Sequence, residues 1–319
     1  LLNDGKGAFD DITGYALGPQ GASTGEKVAV GDLNGDAIPD LVVCDAIVQG
    51  GFNFPGKVWT MMGRGNGMFD RATPYPLSAE FPRHAIVADL NGDQLADIAV
   101  WTAGVYPGNG TLPADRRIVV LWNEGQGSFA FGPSLLIGSH PWPHPRGSIV
   151  AFDVDANGTS DLVATSGTGM VPGQLRSFLN DGRGEFTVGQ TLAVPPQPES
   201  LKIWRAGAGT PTVLALMHNH NFSNGVILEP YLSVWWNRTP GLIEPGPQYI
   251  DARLLTDGKI DALTTPVTGG ATVFLPSVYQ SVAARPIGDV ALGSIASHYG
   301  TGYWPTAAVL ADFAGDGRM

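Results

Sequence analysis

Charge is scarce in this chain. Lys, Arg, Asp and Glu make up 15% of its 319 residues, and the balance is acidic, with a net charge of −11. Such a chain lacks the basic footprint of a nucleic-acid binder. There is one cysteine, Cys44, so no intrachain disulfide can form. It ends an apolar run with no base evident beside it, and reads as a small buried hydrophobe rather than a nucleophile. No apolar stretch approaches the roughly 18 residues of a membrane-spanning helix, and no signal peptide is visible. A sustained 3.6-residue periodicity is also missing, which excludes long amphipathic helices. What the chain has instead is 44 Gly and 25 Pro, the composition of many short strands joined by tight turns.

Self-similarity organises those strands. An acidic motif opens at Asp32 (DLNGDAIPD), Asp89 (DLNGDQLAD) and Asp153 (DVDANGTSD), and again at Asp312 (DFAGDGRM). Degenerate copies lie at 205–216 (RAGAGTPTVLAL) and 253–264 (RLLTDGKIDALT), so consecutive starts are 57, 64, 52, 48 and 59 residues apart. A glycine-rich motif runs out of phase with it: LLNDGKGAF, MMGRGNGMF, LWNEGQGSF, FLNDGRGEF and, more weakly, WWNRTPGLI. Each unit reads as four strands: one before the acids, one after them, one before the glycine-rich turn and one after it. One four-stranded sheet per 50–60 residues (about one repeat period) predicts an all-β chain built as a β-propeller. The expected blades are 25–82, 83–145, 146–197, 198–247 and 248–304, with partial blades at 1–24 and 305–319, in a complete ring of six or seven. A chain that opens and closes inside repeats is expected to be one propeller domain of a longer polypeptide, with further domains as its partners.

The pairing of D-x-[DN]-x-[DN]-x-x-x-D with a downstream N-[DE]-G-x-G-x-F resembles the FG-GAP/VCBS repeats of integrin-α-like propellers. The resemblance implies a calcium-stabilised propeller at the cell surface or outside the cell. It also implies a binding or adhesion role toward carbohydrate or protein. Some propellers related by this repeat are polysaccharide lyases or sugar dehydratases, which gives an enzymatic alternative; a structural spacer is a third.

The acids have a chemical reading of their own. Alternate oxygens in a tight loop converge on one point, and Ca²⁺ takes six to eight oxygens at about 2.3–2.6 Å. The expected ligands are Asp32, Asn34, Asp36, the Ile38 carbonyl and Asp40 in the first loop. In the second they are Asp89, Asn91, Asp93, the Leu95 carbonyl and Asp97, and in the third Asp153, Asp155, Asn157, the Thr159 carbonyl and Asp161. Gly35, Gly92 and Gly158 permit the bend. An EF-hand is excluded, because its twelfth position is Glu and here it is Val43, Val100 or Ala164. The loops at Arg205 and Arg253 have lost ligands, while Asp312 and Asp316 remain in the last copy, so three Ca²⁺ sites are expected.

All six histidines fall, by strand counting, on the opposite face from these loops. His84 precedes a first strand, His140 and His144 flank Trp142 in a blade-to-blade loop, His218 and His220 sit in a second-to-third loop, and His298 precedes Tyr299. These residues are the expected ligand site, with a His-bound transition metal as one possible occupant. For the lyase alternative the catalytic candidates are His144, Arg146, His218, His220, His298 and Tyr299.

Overall fold

In a computed structural model of the chain, every regular element among the described residues is a strand. Those residues are 2–3, 9–11, 14–17, 25–49, 52–77, 80–104, 114–140, 147–167, 171–204, 212–218, 221–223, 226–228, 231–250, 262–264, 271–277, 281–287 and 297–300. The chain divides into two compact units, Leu1–Pro143 with Val309–Met319, and His144–Ala308.

The first unit opens with a short pair, β1 (Leu2–Asn3) and β2 (Phe9–Asp11). Two antiparallel meanders follow. One comprises β3 (Gly25–Gly31), β4 (Asp40–Gln49), β5 (Phe52–Met61) and β6 (Thr73–Pro76). The next comprises β7 (Glu80–Ala88), β8 (Asp97–Gly104), β9 (Ala114–Gly125) and β10 (Ser128–His140). Alternation along these strands sends one set of side chains between the two sheets. Leu33, Val42, Cys44 and Val58 of the first meet Ala85, Ile98, Val100, Val119 and Leu121 of the second. Cys44 is fully buried in that core, as its place at the end of an apolar run requires.

The second unit repeats the scheme. Its first meander is β11 (Ile149–Phe152), β12 (Asp161–Ser166), β13 (Gly173–Asn180) and β14 (Phe186–Val194). The next takes β15 (Pro198–Trp204), β16 (Thr212–His218), β19 (Tyr231–Thr239) and β20 (Leu242–Ile250), with a small hairpin, β17 (Asn221–Ser223) and β18 (Val226–Leu228), inserted between its second and third strands. Val163 and Leu175 pack against Leu201, Leu214, Leu216 and Trp235 between the two sheets. A last sheet holds β21 (Ala262–Thr264), β22 (Ala271–Ser277), β23 (Ser281–Ile287) and β24 (Ser297–Gly300). The fold is therefore all-β, and its repeating element is the four-stranded blade of a β-propeller.

One close approach recurs on the outer strands. A Cβ on Gly132 would lie 2.4 Å from Nε1 of Trp122, and one on Gly246 would lie 2.3 Å from Nε1 of Trp236. Each glycine follows its tryptophan by the same interval, and only a residue without a side chain leaves room for the ring.

Candidate metal centre

The three acid-rich segments connect the first strand of a sheet to the second, β3 to β4, β7 to β8 and β11 to β12. Counting the first Asp as position 1, position 2 is apolar each time, and Leu33, Leu90 and Val154 are buried to 1% exposure or less. This side chain plugs the loop into the core, so the carboxylates on either side stay at the surface. Positions 4 and 6 are left-handed in every loop: Gly35 and Ala37, Gly92 and Gln94, Ala156 and Gly158. The glycine therefore sits at position 4 in the first two loops and at position 6 in the third.

Position 9 is a buried strut. Asp40, Asp97 and Asp161 are fully buried. One carboxylate oxygen accepts the N–H of position 2, from Leu33 (2.7 Å), Leu90 (2.9 Å) or Val154 (2.7 Å). The other accepts an N–H at the end of the third strand, from Gly63 (2.7 Å), Asn123 (2.8 Å) or Asn180 (2.7 Å). Each Asp thus ties three stretches of chain together. Burial pushes all three carboxyls above their ordinary range, with those N–H donors pulling the other way and the nearby loop acids adding to the rise. Asp97 is carried to about 6.

The first Asp folds the loop around itself. Asp32 accepts N–H groups from Asn34, Gly35, Asp36 and Ala37. Asp89 accepts them from Asn91, Gly92 and Gln94. Asp153 accepts from Asn157 and Gly158. In the first two loops the position-3 amide donates to the position-5 carboxylate, Asn34 to Asp36 and Asn91 to Asp93, at 3.0 Å. The third loop carries its acid at position 3 instead, and there Asp153, Asp155 and Asp161 each bring an oxygen to within 4.8 Å of the others. Oxygens on opposite sides of a Ca²⁺ ion stand about 5 Å apart, so this donor set fits one hard cation. Among the described residues no other cluster of acids, histidines or cysteines is gathered so tightly.

Three further residues lie at these ends of their sheets, and the sequence reading did not connect them with the loops. Asn123, Asn180 and Asn237 close the third strands. Asn123 donates from Nδ2 to the Ala96 carbonyl beside its own Asp97, and to the Leu33 carbonyl in the loop of the preceding sheet (2.9 Å each). Asn180 donates to the Ser160 carbonyl. Asn237 donates to Val154 of the preceding loop at 3.0 Å, and to Thr239 and Leu242 within its own turn. The Asn of the glycine-rich motif was the available signal.

The opposite ends of the sheets hold the expected ligand face. His84 does not precede a strand: β7 begins at Glu80, because Phe81 and Ala85 fill the core on either side of it, and His84 is only 9% exposed. It is a core-edge residue, not an open ligand. His140 ends β10, His218 ends β16, and His298 and Tyr299 lie within β24, so these four belong to strands rather than loops. Their side chains, and Trp142, His144, Arg146 and His220, lie outside the described residues, as do Asp312, Asp316 and the loops at Arg205 and Arg253.

A polar row runs across the β7–β10 sheet at this same end. Thr102 Oγ1 donates to Glu80 at 2.6 Å, Arg117 donates to Asp115 at 2.7 Å, and Ser139 donates to the other Asp115 oxygen at 2.5 Å. Burial raises the Glu80 carboxyl, while the Thr102 hydroxyl and the Arg117 charge counter it. By contrast, the crevice of about 510 Å³ between the β11–β14 and β15–β20 sheets is lined by Pro172, Leu192, Val194, Pro195, Trp235 and Pro245 among others, with no charged group.

No protein-family model matches the chain, and no curated protein does. Among solved structures, a periplasmic gluconolactonase of Pseudomonas aeruginosa is 11% identical, covering 87% of this chain and 85% of its own, with a TM-score of 0.46. A lectin of Aleuria aurantia in complex with α-methyl-L-fucoside is 13% identical over 88% of this chain and 96% of its own, with a TM-score of 0.37. A second structure of that lectin, described as a six-bladed β-propeller, is 14% identical over the same shares with a TM-score of 0.38.

Proposed function

We propose that this chain is a Ca²⁺-stabilised propeller module, secreted or displayed at the cell surface, that binds carbohydrate or protein through the face opposite its cation loops. The observation that supports the cation half is the gathering of the Asp153, Asp155 and Asp161 oxygens. Three carboxylates held that close repel one another, and a hard cation between them turns the repulsion into attraction. The Asp32 and Asp89 loops share the spacing and the buried position-9 strut, and are assigned the same ion. Binding by the folded state alone adds RT ln(1 + [L]/Kd) per site, so Ca²⁺ raises the melting temperature and EDTA lowers it. A melting temperature indifferent to both would remove this reading.

For the opposite face, support comes from the polar row. Carboxylate, guanidinium and hydroxyl groups at one end of a rigid sheet supply the donors and acceptors that the hydroxyls of a sugar require. Arg117 gives one guanidinium nitrogen to Asp115 and Glu80 accepts Thr102 at one oxygen, so the remaining donors and acceptor of these two are the groups a ligand would engage. A glycan array probed with the wild type and with Arg117→Ala tests it. Carbohydrate binding lost in the variant, with Ca²⁺-dependent melting unchanged, supports the reading. Absence of any glycan signal from the wild type would leave protein ligands or a spacer role.

A further inference from the structure

We infer that Asn237 and Asn123 act for the cation loop of the preceding sheet, so that a cation bound in one blade is felt in the turn of the next. The inference rests on the reading of the loops as Ca²⁺ sites. Its carrier is a mismatch between sequence and local need. The sheet that contains Asn237 has no acidic loop of its own, because its first-to-second connection reads RAGAGTPT, without a single carboxylate. A residue kept only to brace its own cation loop has nothing to brace there. Yet Asn237 makes the cross-sheet bond, Nδ2 to the Val154 carbonyl at 3.0 Å, and Val154 is position 2 of the Asp153 loop. The backbone N–H of Gly241, in the same turn, donates to that carbonyl at 2.8 Å. One carbonyl of the cation loop thus accepts two bonds from the following hairpin.

The first unit shows the same connection with both loops present. Asn123 reaches the carbonyl of Leu33, position 2 of the preceding loop, while its own N–H caps Asp97. The turn it opens lies against that loop, since a Cβ on Gly127 would meet Met62 at 2.7 Å and Asn34 Cβ at 3.9 Å. Tyr75 completes the contact from the earlier sheet, donating its hydroxyl to the Gly127 carbonyl at 3.2 Å. In both units, position 2 is the point where the loop enters the core, its N–H held by the position-9 carboxylate and its C=O held by the next hairpin. A cation that draws positions 1, 3 and 9 together fixes position 2 between them. The next hairpin is fixed with it through the Asn amide.

Hydrogen–deuterium exchange, followed peptide by peptide on the full chain in Ca²⁺ and in EDTA, tests this. In the wild type, Ca²⁺ slows exchange in 153–161 and also in 238–243, the latter by about fivefold, the scale of one hydrogen bond. In Asn237→Ala, Ca²⁺ still slows 153–161, but the slowing of 238–243 shrinks, because only the Gly241 N–H still reaches the Val154 carbonyl. Undiminished slowing of 238–243 in that variant would overturn the inference while leaving the cation site intact. No Ca²⁺ effect on 153–161 in the wild type would overturn the cation reading itself, and the inference with it. If Asn237→Ala fails to fold, Asn123→Ala read at 32–40 and 124–128 makes the same decision in the first unit.

Discussion

The Asp32 and Asp153 loops share one nine-residue spacing but settle their charge in different ways. At Asp32 the chain closes on itself: four backbone N–H groups converge on the first carboxylate, and the Asn34 amide ties down Asp36. At Asp153 two backbone N–H groups reach that carboxylate, and the position-5 amide of Asn157 is shared between the Asn180 carbonyl at 2.9 Å and the Asp155 carboxylate at 3.3 Å. The acid stands at position 3 instead, and its oxygen joins those of Asp153 and Asp161. Swapping Asn and Asp between positions 3 and 5 keeps the net charge and changes its concentration. The first loop is largely closed by its own hydrogen bonds, whereas the third gathers three carboxylates whose charge a cation would offset.

The largest effect separates the buried strut from the first position of the loop. Asp161→Ala leaves the buried N–H groups of Val154 and Asn180 without an acceptor, and should cost about 3–5 kcal/mol in urea unfolding in EDTA, and more in Ca²⁺ because a ligand is lost as well. Asp153→Ala should cost much less in EDTA and abolish the Ca²⁺ gain at that loop. Equal losses from both would show that the two positions do not differ in kind.

Next comes the swap itself. Asp155→Asn with Asn157→Asp gives the third loop the arrangement of the first. In EDTA the double variant should be more stable than wild type by about 1–3 kcal/mol, as carboxylate repulsion is relieved. Its gain from Ca²⁺ should shrink in step. A double variant less stable in EDTA would mean the acids are not crowded.

A third test uses pH. The Asp97 carboxyl titrates at about 6 in the fold against 3.8 when unfolded, because burial disfavours its charge. The folded state therefore holds the proton more tightly. Without cation, this group's contribution to stability is full below pH 3.8 and is lost as pH rises to about 6. A cation needs the carboxylate, so Ca²⁺ binding weakens over the same window as pH falls. The difference between melting temperatures in Ca²⁺ and EDTA should narrow from pH 7 to pH 5, and a constant difference would contradict it.

The smallest effect concerns the backbone. Ala37 and Ala156 hold φ of 63°, a conformation that glycine adopts without strain. Ala37→Gly and Ala156→Gly should each raise stability in EDTA by up to about 1 kcal/mol, measured by thermal melting. A drop in either would show that the side chain, not the backbone, matters at that position.

Much of this was legible in the sequence. The four-stranded repeat and the places of the three acid-rich loops follow from the alternation of apolar residues and from turn chemistry repeated at each copy, whereas the inserted β17–β18 hairpin does not. Repetition supplied what a single loop could not, since three copies at one spacing reveal which positions are held. The role of Asn237 was hidden because it depends on the neighbouring sheet, and no local pattern encodes a contact 83 residues away. His84 misled for a related reason. Loop or strand was decided there by how far Phe81 and Ala85 extend the core, which strand counting from the acids does not reach.

We propose that these loops hold Ca²⁺. Isothermal titration of Ca²⁺ into protein stripped with chelator tests it most directly, alongside the swapped Asp155→Asn, Asn157→Asp variant. Saturable binding at the three acid-rich loops is expected, with the site at Asp153 weakened in the variant. An absence of binding heat at millimolar Ca²⁺, with the fold intact by circular dichroism, would contradict it.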